Sequence, residues 1–357
     1  MKGFILWQYR VFRERILAIP GRVIAIIFFL FLLSVPVFVD NPFVLKILVF
    51  SAIFAIYATS WDLLAGYTGQ INLGHALFFG VSAYTVGLLS TNYSGLSPWL
   101  TIPAGSIAAV IVGLIVGIPA LRLRGFYLSL VTLAFPIILV GIVLLFQEFT
   151  GGEVGLYGIR SLSSSRKVDY YIINLIMGLC VLAMWKLTDP KSKIIRFGVV
   201  LHAIREDEIS ARVSGIKTTK YKLLAYAFSG LFAGIAGGLY AHVLRIVGPS
   251  TLEFFFSFQA ILWTVFGGMG SIYGPVVGVY ILYVGVEVLR MNPMGEQIRF
   301  VLISLILILT LLFMPQGIAI WIKDKIEVTC QRCKLVNYAT RDVCRACGAP
   351  LRLERED

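Results

Sequence analysis

Apolar stretches, each close to the length of a bilayer's hydrocarbon core, recur along this chain, and nothing constrains its fold more. They run Val23–Val39, Trp99–Ile118, Phe126–Phe146, Tyr170–Trp185, Leu223–Tyr240 and Phe300–Met314. About 20 apolar residues in helical conformation are needed to cross a core of about 30 Å. A soluble fold could bury one or two such stretches but has no interior large enough for all of them. Only 14% of residues are charged, where soluble domains carry about 25%, and the mean hydropathy is +0.87. In lipid a backbone must satisfy its own polar groups, so runs of this length read as helices. The expected fold class is an all-α polytopic membrane protein.

The basic residues then set an expected topology. The net charge is +12, which in a membrane chain reads as Lys and Arg retained on the cytoplasmic side and not as nucleic-acid binding. Five sit in the segment 1–22 (Lys2, Arg10, Arg13, Arg15, Arg22), eight between Thr188 and Lys222 with Lys186 beside them, two at Arg122 and Arg124, and eight after Trp321. With all of these inside, 24 lie on one side and seven on the other: Lys46, Arg160, Arg166, Lys167, Arg245, Arg290 and Arg299. The basic N-terminal region runs to Arg22 with no small-residue cleavage site after it, unlike a secretory signal. The count also requires an even number of spans. Phe254–Leu289 would reach about 54 Å as one helix. Its middle, "GGMGSIYGP" (Gly267–Pro275), is a helix breaker. Splitting it gives about ten spans with both termini cytoplasmic. The expected organisation is an N-terminal tail 1–22, a membrane region 23–320 with a cytoplasmic loop 188–222, and a cytoplasmic tail 321–357.

Two of the glycine-rich breaks form a pair. "GYTGQINLG" (Gly66–Gly74) and "GGMGSIYG" (Gly267–Gly274) both read G-x-x-G, a polar residue, Ile, a polar residue, then Gly within two positions. Glycine-interrupted spans in the two halves of a transporter mark a substrate path. Broken backbone at membrane depth is tolerable where protein or a water-filled cavity satisfies it. Gly66, Gly69, Gln70, Asn72, Gly74, His75, Gly267, Gly270, Ser271 and Gly274 are therefore candidate path residues. Close helix packing through small residues is the competing reading of the glycines, and a packed, hydrogen-bonded ring is the competing reading of His75. Asp62 and Glu287 also lie at membrane depth, with their roles open.

The tail reads "CQRCKLVNYATRDVCRACGAPL", a C-x2-C-x10-C-x2-C pattern in Cys330, Cys333, Cys344 and Cys347. Paired knuckles supply four thiolates for tetrahedral zinc. A tail this short has too little apolar mass to fold without metal. Disulfides and a redox CxxC are the alternatives; a cytosolic placement disfavours the first, and two paired knuckles favour zinc over the second. With four Cys ligands no coordination position stays open, so the expected zinc is structural. Cys180 lies in an apolar span and reads as a small hydrophobe.

The loop stretch "LHAIREDEISARVSG" (Leu201–Gly215) has helix-forming residues and ends on a glycine suited to the C′ position. Glu208 and Arg212 are spaced for a helix-surface pair. The sequence has no G-x-x-x-x-G-K-[ST] phosphate loop, no H-E-x-x-H and no G-x-S-x-G, so neither nucleotide binding nor an enzyme activity is expected of this chain.

"GYTGQINLGHALFFGVSAY", "LRLRGFYLSLVTLAF" (Leu121–Phe135), "TGGEVGLYGI" (Thr150–Ile159), "AIREDEISARVSGI" (Ala203–Ile216), "GGMGSIYGPVVG" (Gly267–Gly278) and "PQGI" (Pro315–Ile318) together resemble the permease subunits of branched-chain amino acid ABC importers, specifically the M-type. The resemblance spans roughly residues 45–320. It implies a translocation path shared with an H-type permease, two cytoplasmic ATPases, and an external substrate-binding protein, in the plasma membrane of a prokaryote. It also implies that Ala203, Arg205, Glu206, Asp207, Glu208 and Gly215 belong to a short coupling helix docking on an ATPase. A partnerless solvated loop helix is the competing reading. Related permeases carry urea or short amides. A secondary transporter or channel, and a membrane-anchored regulator built around the zinc tail, are the readings from other classes. The cysteine tail departs from the family's usual pattern.

Overall fold

The computed structural model describes residues 20–93, 95–123, 125–189, 196–291, 296–333, 335–344 and 346–351. Most of the expected N-terminal tail, and Arg124, Lys191, Lys193, Lys334, Arg345, Arg352 and Arg355 from the charge tally, lie outside the described residues.

The described chain is helical almost throughout. Its membrane region comprises α1 (Pro20–Phe38), α2 (Pro42–Thr68), α3 (Ala76–Asn92), α4 (Pro98–Ala120) and α5 (Phe126–Leu145). A short α6 (Gln147–Thr150) and strand β1 (Leu156–Tyr157) lead to α7 (Arg166–Thr188). The loop helices α8 (Phe197–Glu206) and α9 (Glu208–Val213) precede α10 (Thr218–Leu244). Strand β2 (Ile246–Val247) and a 3-10 turn (Pro249–Leu252) lead into α11 (Phe254–Gly267), α12 (Tyr273–Met291) and α13 (Glu296–Phe313). A last helix, α14 (Ile318–Ile326), is followed by strands β3 (Glu327–Thr329) and β4 (Val336–Tyr338). Among the described residues, seven stretches are long and apolar enough to cross a membrane, and three apolar helices are shorter. The stretch Ser304–Ile326 counts among the seven, but a turn at Pro315 divides it into α13 and α14. The segment expected to split does so, into α11 and α12.

The centre of the bundle is α2. Asn41 caps it, its side chain accepting from the Phe43 N–H at 2.9 Å, and Pro42 occupies the first turn, where a missing N–H costs nothing. The helix has no polar face, and from Leu45 onward it is buried on nearly every side. A helix apolar all round is one enclosed by other helices, here mainly α7, α10, α11 and α12. It ends at Gly69, whose φ of 71° closes the last turn onto the Ala65 carbonyl at 3.1 Å. Beyond it residues 69–75 run back along the helix they have just left. The Trp61 indole N–H donates to the Asn72 carbonyl at 2.7 Å. Helix α3 therefore starts inside the bundle, beside Ser60, and needs only 17 residues.

Helix α11 has the same character. The 3-10 turn before it packs on α3, with Leu252 and Thr251 against Gly80. The Ser257 hydroxyl accepts from the Ala76 N–H at 2.8 Å. So α3 and α11 both begin at the depth of the bundle's middle and run in opposite directions from it. At 1.5 Å per residue they reach about 26 and 21 Å, each less than a full crossing.

Two faces result. On one, β1 pairs antiparallel with β2 (Leu156 opposite Val247), and His242 Nδ1 is 2.7 Å from the Arg160 carbonyl. On the other lie residues 66–70, α8, residues 268–272 and α14: Arg205 bonds the Gly66 carbonyl, and Gly268 sits against Gln316 and Ile320. The Glu327 carboxylate accepts from the Gly21 N–H at 2.8 Å, so the start of α1 and the tail are on this same face.

Candidate functional site

Three candidate sites share the second face or open from it. The first is the meeting of the two glycine breaks. Gly66, on the last turn of α2, touches Gly270: a Cβ on Gly66 would stand 2.8 Å from the Gly270 nitrogen. The Asp62 carboxylate, one turn earlier and fully buried, accepts from the Gly270 N–H at 2.7 Å. The segments paired in the sequence by pattern are thus in contact. Around them Ser271 donates to the Gly268 carbonyl at 2.8 Å and takes the N–H of Gly274 through its own carbonyl at 2.8 Å. Gly267, Gly274 and Gly278 form the crossing of α11 with α12. A Cβ on Gly267 would overlap the Gly274 carbonyl, and one on Gly278 would stand 3.0 Å from the Gly267 nitrogen. These three glycines do what the packing alternative describes.

The other candidates lie along residues 70–75 and are enclosed. Gln70, Asn72 and His75 are all buried. Asn72 Oδ1 accepts from the Gly74 N–H at 2.8 Å, closing a local turn. His75 stacks on Tyr57 with centroids 4.9 Å apart, and its Nε2 is 2.9 Å from the Ser60 hydroxyl. Helix α5 completes the enclosure. The Thr132 hydroxyl accepts from the Leu73 N–H at 3.1 Å, and the Ser129 hydroxyl donates to the Ile71 carbonyl at 3.0 Å. Pro136 has no N–H to give the Thr132 carbonyl, and Gly74 packs directly on that oxygen, where a Cβ would overlap it.

Satisfaction is incomplete here. Buried polar atoms without a protein partner include Thr59 Oγ1, Asp62 Oδ2, Gln70 Oε1, Asn72 Nδ2 and His75 Nδ1. Native interiors leave few such atoms, and this group falls within seventeen residues of sequence around one break.

The second site is the loop between α7 and α10. Asp207 interrupts the single helix expected there. It caps α9 instead, its Oδ1 accepting from the Ile209 and Ser210 N–H groups at 2.8 and 3.1 Å. The Ser210 hydroxyl, then the Ser210 and Ile209 N–H groups, hold this carboxyl below its ordinary range. Glu208 makes the expected pair with Arg212 at 3.0 Å, but it also binds Lys222 at 2.7 Å and Thr218 at 3.3 Å. Glu208 thus fastens α9 to α10. Arg205 is exposed as a residue, but its Nη1 reaches the Gly66 carbonyl at the rim of the bundle. Glu206, Asp207 and Gly215 are exposed and Ala203 is half-buried. The residues most free on α9 are apolar: Ile209 is 63% and Val213 85% exposed. They stand four apart on one helix face, and a reading built on charged residues overlooked them.

The third site is the tail. The Sγ atoms of Cys330, Cys333, Cys344 and Cys347 all lie within 4.8 Å of one another. Cys330–Cys347 and Cys333–Cys344 are each 3.5 Å apart, far from the ~2.05 Å of a disulfide. Four sulfurs at Zn–S distances of about 2.3 Å would sit about 3.8 Å apart in a tetrahedron, which this cluster matches. The two knuckles share one backbone device: Cys330 N–H donates to the Leu335 carbonyl at 2.9 Å, and Cys344 N–H to Ala349 at 2.8 Å. N–H groups of Ala346 and Cys347 bring the Cys344 thiol down to about 6, and that of Cys333 lowers Cys330. Asn337 Nδ2 reaches Cys344 Sγ at 3.6 Å, the kind of outer contact that orients a ligand.

On the opposite face an open cleft of about 500 Å³ is lined by Val140, Leu144, Glu153, Tyr240, Leu244 and Glu253 among others. Nothing in the sequence pattern marked it, because its walls come from four separate segments.

A multi-pass helical bundle with two half-helices starting from its middle and two glycine breaks meeting at one face is the architecture of a membrane permease. Residues 43–313 match the family described as branched-chain amino acid transport system / permease component, and the chain belongs to that family. It is 29% identical over 296 residues to the high-affinity branched-chain amino acid transport system permease protein LivM of Salmonella typhimurium, covering 74% of this chain and 67% of the relative. The identity and coverage are the same for LivM of Escherichia coli. The probable branched-chain amino acid transport permease protein LivH of Methanocaldococcus jannaschii is 26% identical, covering 76% of this chain and 90% of its own length. The match ends before the cysteine tail.

Proposed function

We propose that this permease subunit forms half of the translocation path of an ATP-driven importer for branched-chain or related apolar amino acids. An H-type permease supplies the other half, two ATPases drive it, and an external binding protein delivers the substrate. The observation that carries the path reading is the group of unpartnered polar atoms on Asp62, Gln70, Asn72 and His75 around the break at Gly66–Gly74. A closed bundle gains nothing from such atoms, whereas a path that opens to water or substrate uses them.

The face bearing Arg205, Gly270 and the tail is assigned to the cytoplasm of a prokaryotic cell, on the imbalance of 24 basic residues against seven. On that face α9 is the ATPase-docking element, presenting Ile209 and Val213 with Glu206 beside them. The domains follow: a cytoplasmic N-terminal tail over 1–22, a permease region over 23–320 with the loop 188–222, and a cytoplasmic tail over 321–357 whose four cysteines hold one structural zinc.

The test is uptake of radiolabelled leucine into proteoliposomes holding this chain, its partner permease and the ATPases, with binding protein and ATP supplied. ATP-dependent uptake competed by isoleucine and valine supports the reading. Uptake of urea or a short amide in place of leucine would replace the substrate assignment, and uptake without ATPases would replace the class.

A further inference from the structure

Arg205 was expected among residues facing an ATPase, and although it is exposed its guanidinium bonds back onto the bundle. It donates to the Gly66 carbonyl and lies against Gly270, where an added Cβ would be 2.7 Å from Nη1. One side chain from α8 therefore touches both glycine breaks. Asp62 ties the same two breaks from the other side through the Gly270 N–H at 2.7 Å. Its second oxygen has no hydrogen-bond partner, and the Arg205 guanidinium stands against the same Gly270 whose N–H the first oxygen accepts.

The arrangement makes each part depend on the others. A buried carboxylate at the edge of an apolar bundle is costly unless a positive charge stands near it. Gly66 must lack a side chain for Gly270 to approach, and its carbonyl lies within the last turn of α2, where helical carbonyls run out of backbone donors. Arg205 answers both needs, the charge and the donor. Its backbone belongs to α8, joined through Asp207 to the exposed α9. Any displacement of α9 therefore pulls the guanidinium away from Gly66 and leaves Asp62 without its counter-charge.

We infer that Arg205, with Asp62, is the transmission residue of the transporter, converting movement of the loop helices into separation of the Gly66 and Gly270 breaks. This rests on the importer reading above. Arg205 is a positioning residue: it sets whether the two breaks are held together.

The complex reconstituted with partner permease, ATPases and binding protein tests this, with leucine as the probe. In Arg205→Met the ATPases should co-purify as in the wild type and ATP hydrolysis should persist, while leucine taken up per ATP falls about tenfold, within the usual range of coupling between sites. Arg205→Lys keeps the charge but loses the planar fork and should fall between the two. Asp62→Asn in the Arg205→Met background should add little further loss, because residues acting as one unit are not additive. Unchanged uptake per ATP in the Met and Lys variants would overturn the inference, as would loss of ATPase co-purification in Arg205→Met, which would make it a docking residue. If Arg205→Met does not insert, Arg205→Lys decides alone: a lowered ratio supports the assignment and an unchanged one overturns it. A wild-type complex that transports no leucine overturns the importer reading instead.

Discussion

Replacing Glu208 by Gln should loosen α9 without touching the membrane core. Glu208 Oε2 lies 2.7 Å from Lys222 Nζ, and its Oε1 is 3.0 Å from Arg212 Nη2 and 3.3 Å from the Thr218 hydroxyl. The Lys222 side chain is 10% exposed and that of Glu208 20%. Two unit charges at that separation attract by about 6 kcal/mol at an effective dielectric of about 20. Most of this is offset by the desolvation of both groups. Removing one partner of a fully buried pair costs about 3–5 kcal/mol, and surface pairs contribute about 0–1 kcal/mol. The partial exposure here places the cost at about 2 kcal/mol. Because about 1.4 kcal/mol is a factor of ten, the open population of α9 should rise about thirtyfold. Limited trypsinolysis, followed at Arg212 on α9 by mass-resolved peptides because Arg205, Lys217 and Lys220 are exposed as well, reads that population when opening is fast against cleavage. Cleavage should accelerate by that factor in Glu208→Gln. It should return toward the wild-type rate in Glu208→Gln/Lys222→Met, which removes the stranded ammonium. A cleavage rate in Glu208→Gln indistinguishable from wild type would refute the view that this glutamate fastens the loop, and would return it to the surface available to a partner.

Ile209→Asp and Val213→Asp should each weaken ATPase co-purification by ten- to thirtyfold, the loss of about 1.4–2 kcal/mol typical of truncating an interface anchor, with insertion of the chain unchanged by protease protection. Gly74→Ala places a methyl group on the Thr132 carbonyl, so the detergent-solubilised chain should lose about 1–3 kcal/mol of stability, seen as earlier thermal unfolding. In a chain with Cys180 and the tail cysteines replaced, single cysteines at Gln70, Asn72 and Ser271 should resist small water-soluble thiol reagents at rest, because these positions are buried. They should react during ATP turnover, and inertness in every state would reduce the breaks to packing. Metal analysis of the purified chain should give about one zinc, lost in Cys344→Ser, since a three-thiolate site binds far less well than four.

Some of this was legible in the residues alone because the physics involved is local. The length of each apolar run fixes whether a helix can cross a bilayer, and the helices found fall where those runs lie. The 254–289 stretch had to break because no single helix of that length fits the membrane, and glycine and proline said where. The cysteine spacing brings four thiols within reach because each knuckle closes over a few residues of chain, and the structure gathers all four. The G-x-x-G pattern at 66–74 and 267–274 marked two segments as alike without saying that they touch. That contact depends on α2, α11 and α12 packing together from residues some two hundred positions apart, and the sequence pattern carries no such distance. For the same reason it could not show which way a polar side chain turns. Arg205, Glu208 and Asp62 are charges in a string until the bundle decides. One then bonds back to meet Gly66, one is spent on Lys222, and one is buried against Gly270. The direction of each is set by which neighbour can satisfy it at the lowest desolvation cost, a property of the assembled interior and not of any window of sequence.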